Sequence, residues 1–284
     1  MTLPLSVIVL TFNRAAELQR TLAHLLALPE QVPIVVVDNG STDSTAAMMA
    51  AQFPHVRLIR MLCNLGAAAR NAGVAAVDTP YVAFCDDDTW WEPGALARAV
   101  MVLDAHPHVA VVCARVLVGA ARVEDPTCAL MARSPLPAQD LPGPALIGFL
   151  AGASAMRRSA FIAAGGYEPR LFIGGEEALL SLDLLADGWD IVYEARATVC
   201  HFPSHQRDVG RRRQLLVRNA LWLAWMRLPW GLLLRECRRL LRPIWRDGAV
   251  AVGLFGALAG LPWAIRRRRV VPSRVVAMYP LLYG

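Results

Sequence analysis

Four short apolar runs, three of them followed by a stretch with helical spacing, leave this chain little choice of architecture. Ser6–Thr11 precedes Ala15–Ala27, Pro33–Asp38 precedes Ser44–Gln52, Val56–Arg60 precedes Ala67–Val77, and Tyr81–Cys85 closes the series. Strands that alternate with helices are the grammar of βαβ units, whose strands lie parallel in one sheet. Ile34–Val37 is apolar at every position, as a strand covered on both faces must be, whereas a half-exposed strand alternates. Ser41 and Ser44 stand where an N-cap of the second helix is needed. The apolar start Leu3–Leu10 lacks a basic flank and a small-residue cleavage site and runs into a polar turn, so it reads as the first strand and not as a secretion signal.

The middle of the chain is less regular. Pro126, Pro135, Pro137, Pro142 and Pro144 make residues 126 to 144 a loop excursion. Beyond it Ala151–Met156 reads as a strand, Glu176–Ala186 as a helix, and Ile191–Tyr193 and Thr198–Cys200 as short strands. With 284 residues, 56% hydrophobic and 18% charged, the chain can bury a sizeable core, which excludes intrinsic disorder. Its six cysteines form no CxxC pair, which argues against a zinc or redox centre and suits reduced, mostly buried thiols in the cytosol.

Charge divides the chain at about His205. All 29 basic side chains are arginine; residues 1 to 205 hold 13 of them against 20 acids, and residues 206 to 284 hold 16 against 3. The acidic body argues against a nucleic-acid groove, and the basic tail, with Trp222, Trp225, Trp230 and Trp245 among leucines, points to an anionic surface. Gly248–Ile265 is uncharged for 18 residues, at the margin for crossing a bilayer of roughly 30 Å. Its glycines and Pro262 favour an interfacial helix or hairpin held by Trp and Arg anchors, with a packed helix as the alternative. The expected organisation is a body over 1–205, divided into 1–97 and 98–205, and a helical extension over 206–284.

Ligands of an open parallel sheet bind at the carboxyl ends of its strands, so the residues that follow each strand carry the chemistry. Thr11, Asn13 and Arg14 follow the first, Asp38 to Asp43 end the second, and Asp86, Asp87 and Asp88 end the fourth. Three successive carboxylates repel one another unless a cation sits among them. Oxygen ligands suit Mg²⁺ or Mn²⁺, which complete their shells with water and substrate phosphates; a solvated acidic turn is the plainer reading. Asn64, Gly66 and Arg70 open a small-residue helix whose arginine can reach a phosphate, although such residues also serve ordinary close packing. Glu176 and Glu177 stand at a helix start, either as capping acids or as a general base. His201 ends a strand as a packing residue or a further metal ligand. Arg207, Arg211 and Arg218 recur at helical spacing and suit a diphosphate or a solvated face.

The ordered set SVIVLTFNR, IVVVDNGSTDST, NLGAAARNAG and YVAFCDDDTWWEPGAL resembles family-2 inverting glycosyltransferases of the GT-A fold, of the bacterial rhamnosyltransferase-like kind. The likeness continues through GASAMRRSAFIAAGGYEP and GGEEALLSLDLLADGWDIVYEARATVCHF, about 200 residues in all. It implies an α/β fold with a mostly parallel central sheet and a basic helical tail. It also implies transfer of a hexose-like sugar from a nucleoside-diphosphate donor to a hydroxyl acceptor, lipid-linked or of the cell envelope. Carried over, Asp38 meets the base or ribose with Thr11, Asn13, Arg14, Asn64, Gly66 and Arg70 nearby. Asp86 and Asp88 match the outer members of the DxD motif that holds Mn²⁺ or Mg²⁺, with Asp87 between them and His201 completing the site. Glu176 and Glu177 stand where the family carries a Glu-Asp pair whose second member is the base.

Competing classes lack their signatures. A sugar nucleotidyltransferase carries a Gly-rich loop after strand one and a phosphate-binding lysine, a dinucleotide oxidoreductase carries GxGxxG there, and this chain has TFNRAAE and no lysine. A catalytically silent nucleotide-sugar-binding or membrane-scaffold protein of the same fold is the alternative from another class. The expected place is cytoplasmic, peripheral on the inner face of the plasma membrane.

Overall fold

The computed structural model describes residues 3–204, 209–242 and 248–283; His205 and Arg207 lie outside them. The first half follows the βαβ reading: β1 (Leu5–Thr11), α1 (Ala15–Leu26), β2 (Ile34–Asp38), α2 (Thr45–Gln52), β3 (Arg57–Arg60), a 3₁₀ turn over Gly66–Ala69 leading into α3 (Arg70–Ala75), and β4 (Tyr81–Asp86). These strands lie parallel in the order β3-β2-β1-β4. Every residue of β2 is buried, as its unbroken apolar run requires. Ser44 does stand at the N-cap of α2, but its hydroxyl caps nothing; Asp43 takes that place, accepting from the Thr45 amide at 3.0 Å, because a carboxylate satisfies a helix-start N–H more strongly than a hydroxyl.

Beyond β4 the sheet becomes mixed. It continues through β5 (Thr89–Trp91), α4 (Ala95–Ala105), β6 (Val109–Val118), β7 (Val123–Glu124), α5 (Pro126–Ala132), β8 (Ser154–Arg157), α6 (Arg158–Ala163), α7 (Glu176–Ala186) and β9 (Asp190–His201). The order β4-β8-β6-β9-β5 has β8 antiparallel to both neighbours, β9 parallel to β6, and β5 antiparallel to β9. The excursion expected over 126–144 begins as a helix. Pro126 occupies its first turn and the Asp125 carboxylate accepts from Thr127 N, so the proline starts the helix and does not break it. The two expected short strands are one, β9, with register shifts against β6.

The tail is helical: α8 (Val209–Arg227), α9 (Trp230–Leu241), α10 (Gly248–Ala259) and α11 (Leu261–Arg266). Leu171 and Leu179 of the body share an apolar cluster with Val217, Leu221 and Trp222 of α8 and Trp263 of α11. The uncharged stretch divides at Gly260, where an added Cβ would lie 2.2 Å from the Trp222 ring. One face of α10 therefore packs on α8, while Val252, Phe255 and Leu258 stay exposed. Among the described residues no helix is long and apolar enough to cross a membrane.

Candidate active site

The parallel register brings the chemistry to one edge. Thr11 pairs with Asp38, and Leu10 with Asp86, so the ends of β1, β2 and β4 are neighbours. Asp38 is fully buried: one carboxylate oxygen accepts from Ser41 N at 2.9 Å and the other from Arg60 Nε at 3.2 Å. The Thr11 hydroxyl beside it is buried with no hydrogen-bond partner, and an orphaned polar group of that kind is a natural contact for a ligand. Asn13, at φ 53°, accepts from the Thr42 amide at 2.8 Å and donates its own amide to Ser41 Oγ at 2.9 Å, tying the loops after β1 and β2 together.

Asp86 turns away from the other two aspartates, which share Arg14. Asp86, the most open, is paired with Arg70 and lies against Gly152. Asp87 is buried and accepts from Arg14 at 2.9 Å; burial pushes its carboxyl up to about 7 against the pull of that arginine. Asp88 is buried 3.6 Å from His201 Nε2 and accepts from Ser204 N at 3.2 Å. Burial opposes its ionised form, yet His201, the Ser204 amide and Arg14 outweigh burial and hold the carboxyl below the usual range. Stacked rings brace this corner: His24 on Trp90 at 4.1 Å and Trp90 on Phe202 at 5.1 Å between centroids.

The expected trio of metal ligands is not assembled. Asp88 and His201 meet, while Asp86 turns to Arg70, a buried cation that needs its carboxylate. Among the described residues no three His, Cys, Asp or Glu side chains converge on one point. A carboxylate held ionised beside an imidazole still fits a divalent ion that arrives with phosphate oxygens as its remaining ligands.

Across Arg70 from Asp86 lies the acid pair. Burial opposes the charge of Arg70, and Asp86, Tyr167, Glu177 and Glu176 around it sustain that charge. Glu176 is buried with one oxygen unpartnered; burial first, then Glu177, pushes it up to about 8. Burial raises Glu177 as well, but hydrogen bonding from Glu176 and the charge of Arg70 favour its ionised form. Burial thus holds both carboxyls above the ordinary glutamate range, and the two share their protons as a pair.

Asn64 and Gly66 are occupied within the protein. Asn64 Oδ1 accepts from Asn39 Nδ2 at 2.9 Å and from Gly66 N at 2.8 Å, and a Cβ on Gly66 would lie 1.9 Å from the Phe172 carbonyl oxygen. They hold the 64–70 turn against the loop that leads to the acid pair. Arg218 serves that loop too, donating to the carbonyls of Arg170 and Leu171 at 3.0 and 3.1 Å, and Arg211 lies over the Phe172 ring at 5.5 Å.

Sequence reasoning passed over Asn219. Its buried amide on α8 donates to the carbonyls of Leu171, Ile173 and Gly174 at 2.8, 3.1 and 2.6 Å. That loop then passes through Gly174 and Gly175 at φ 85° and 101°, a region that glycine enters without steric cost, and delivers Glu176 and Glu177 at the first turn of α7. The only sequence signal was a lone asparagine inside an Arg/Leu/Trp helix.

A parallel sheet edge with a buried aspartate and an acidic run, faced across an arginine by a second acid pair, defines the class: a nucleotide-sugar transferase of the GT-A fold. The chain belongs to glycosyl transferase family 2, whose family model matches residues 6–165. It is 27% identical over 244 residues, 72% of this chain and 78% of the relative, to the N-acetylglucosaminyl-diphospho-decaprenol L-rhamnosyltransferase of Mycobacterium tuberculosis. Over a shorter span, 34% of this chain and 29% of the relative, it is 38% identical to the succinoglycan biosynthesis protein ExoO of Rhizobium meliloti. In fold it is similar to the mannosyltransferase PcManGT of Pyrobaculum calidifontis, solved with GDP-Man and Mn²⁺ (TM-score 0.64, 19% identity, 98% of this chain and 86% of that one). It is also similar to S. aureus TarS 1–349 with UDP-GlcNAc (TM-score 0.65, 17% identity, 96% and 83%).

Proposed function

We propose that this glycosyltransferase works with inversion, passing a sugar from a nucleoside-diphosphate donor to a hydroxyl of a lipid-linked, cell-envelope acceptor. The observation that carries the reading is the acid pair at the first turn of α7: Glu176, buried with one oxygen unpartnered, and Glu177 beside it, both facing the charge of the buried Arg70. The donor lies along the edge of Thr11, Asn13, Arg14 and Asp38, with Asp86 and Asp87 under its diphosphate. The acceptor oxygen bonds to the anomeric carbon as Glu177 receives its proton, and the bond from that carbon to the diphosphate oxygen breaks on the opposite face, the electron pair leaving with the nucleotide. Asp88 and His201 would hold Mn²⁺ or Mg²⁺, which when bound supplies charge neutralisation for the departing diphosphate.

Thermal unfolding with UDP, dTDP, GDP or CDP, with and without Mn²⁺, tests the donor side. One nucleotide at a hundred times its Kd adds about 2.7 kcal/mol to the wild type with Mn²⁺ present, and Asp88→Ala loses the metal-dependent part. A folded protein that no nucleotide stabilises would transfer the weight to the silent scaffold.

The mycobacterial relative's name specifies a diphospho-decaprenol acceptor, which supports a lipid-linked one here and a station at the cytoplasmic face of the plasma membrane. The exposed Val252, Phe255 and Leu258 of α10 and Trp230 of α9 supply apolar contacts, and the exposed Arg266 and Arg267 at the end of α11 supply charge. Vesicles containing phosphatidylglycerol are expected to bind the full chain, and Phe255→Ser with Leu258→Ser to weaken binding about tenfold, the loss of two partly buried apolar side chains. Equal binding to purely zwitterionic vesicles at every salt concentration would rule out the electrostatic part.

A further inference from the structure

Between α7, α8 and α9 runs a groove of about 1180 Å³. We propose that it binds the acceptor itself, taking a long apolar chain along its walls and a phosphate head at its arginine rim. This rests on the transferase reading above and adds where, and by what chemistry, the acceptor is recognised.

The walls are apolar along their length. Ala178 and Leu182 come from α7, and Leu216, Ala220 and Leu223 from one face of α8. Leu216 and Leu234 keep 44% and 54% of their surface open, a cost in water that an apolar occupant removes. There is room for one: an added Cβ on Gly148 or Gly231, both of which line the groove, meets nothing within 4 Å.

Charge is concentrated on one rim. Arg235, Arg238, Arg239 and Arg242 line it against a single carboxylate, Glu236, which Arg239 Nε already engages at 2.9 Å. Spacings of three, four and seven put these guanidinium groups on one helix face, where their planar forks match phosphate oxygens. Apolar walls reject a free oligosaccharide, which needs hydrogen-bond partners along its length, and a concave groove does not match a flat bilayer surface. An amphiphile with one apolar chain and an anionic head satisfies both halves.

The third observation is which loop borders the groove. Gly174 and Gly175 line it, and the next two residues are Glu176 and Glu177. A head group seated beside these glycines is the part of the acceptor that reaches the acid pair.

The test measures binding of geranylgeranyl diphosphate, kept below its micelle concentration, to the full chain by tryptophan fluorescence. Geranylgeraniol and inorganic diphosphate serve as the chain and head alone, and UDP binding is followed in parallel. The prenyl diphosphate is expected to bind about tenfold or more tightly than either half, since both contact types act together. Gly148→Trp, which fills the groove from a position where the side chain meets nothing, and Arg235→Glu with Arg238→Glu are each expected to weaken it about tenfold. Vesicle binding by Gly148→Trp is expected to match the wild type. Inorganic diphosphate binding as tightly as the prenyl compound, geranylgeraniol doing so, or both variants binding like the wild type would overturn the proposal. Loss of prenyl binding with UDP binding kept counts against a variant's misfolding and for the groove. Failure of UDP, dTDP, GDP and CDP alike to bind with Mn²⁺ present, with prenyl binding intact, counts against the donor-site reading and leaves the groove.

Discussion

Glu177→Gln is expected to lower the rate of sugar transfer by about 10²- to 10⁴-fold, the usual worth of a general base, and to leave nucleotide binding unchanged. Glutamine fills the same space but cannot accept the acceptor's proton. The proposed donor contacts are expected to be spared because Thr11 and Asp38 lie at the ends of β1 and β2, on elements other than α7. Glu176→Gln is expected to cost less, because burial and Glu177 push that carboxyl up to about 8, toward the form that donates to its neighbour. The pH profile carries the same signature. The rate rises with pH as Glu177 loses its proton, and burial places that limb above the ordinary glutamate value of 4.5. Single-turnover transfer measured across pH on both variants checks this. Equal losses in the two variants, or a limb at the ordinary value, would reverse or remove the division of labour.

The parallel half of the fold was legible because parallel strands are buried on both faces and so write unbroken apolar runs. The start of α7 was legible too, because two glycines before two glutamates mark a helix entrance. The second half of the sheet was not. β9 looks like two strands because Glu194-Ala195-Arg196 interrupts its apolar pattern, and only the fold shows Glu194 buried and paired with Arg98 at 2.6 Å. Pro126 looked like a breaker because the helix start it serves is recognisable only with the Asp125 cap. The tail glycines suggested a poor membrane helix, and what they permit is close packing, which depends on Trp222 arriving from 38 positions earlier in the chain.

The site divides in the same way. Residues at strand ends could be read from position alone, so the edge of Thr11, Asn13, Arg14 and Asp38 was within reach. What each one touches could not be read. Asp86 carries the same charge as Asp88, and the difference between them is that one meets a buried arginine and the other a histidine. Asn219 and Tyr167 were out of reach for the same reason: their roles exist only through contacts made across the fold, three carbonyls for the first and the Arg70 guanidinium, 5.9 Å from the ring, for the second.

Arg227→Leu is expected to destabilise the protein by about 3–5 kcal/mol, the cost of stranding a buried charge. Arg227 ends α8 and grips Asp183 of α7 with two hydrogen bonds, at 2.6 and 2.9 Å, both side chains only 10% exposed. It also donates to the Arg267 carbonyl at 2.9 Å, so the pair joins α7, the first tail helix and the segment after α11. The double substitution Asp183→Leu with Arg227→Leu is expected to recover most of the loss, because two apolar side chains leave no unpaired charge behind. Urea unfolding of the two single variants and the double variant decides between the charge and the carbonyl contact: if the double variant is as weak as Arg227→Leu, the bond to Arg267 carries the effect. The consequence reaches the chemistry. Asp183 lies two turns beyond Glu176 on one helix, and Asn219 lies two turns before Arg227 on the other, so α7 and α8 are tied at both ends of their contact. The acid pair is positioned from the tail as much as from the sheet, and a variant that loosens the tail is expected to lower the rate of transfer before it lowers the affinity for nucleotide.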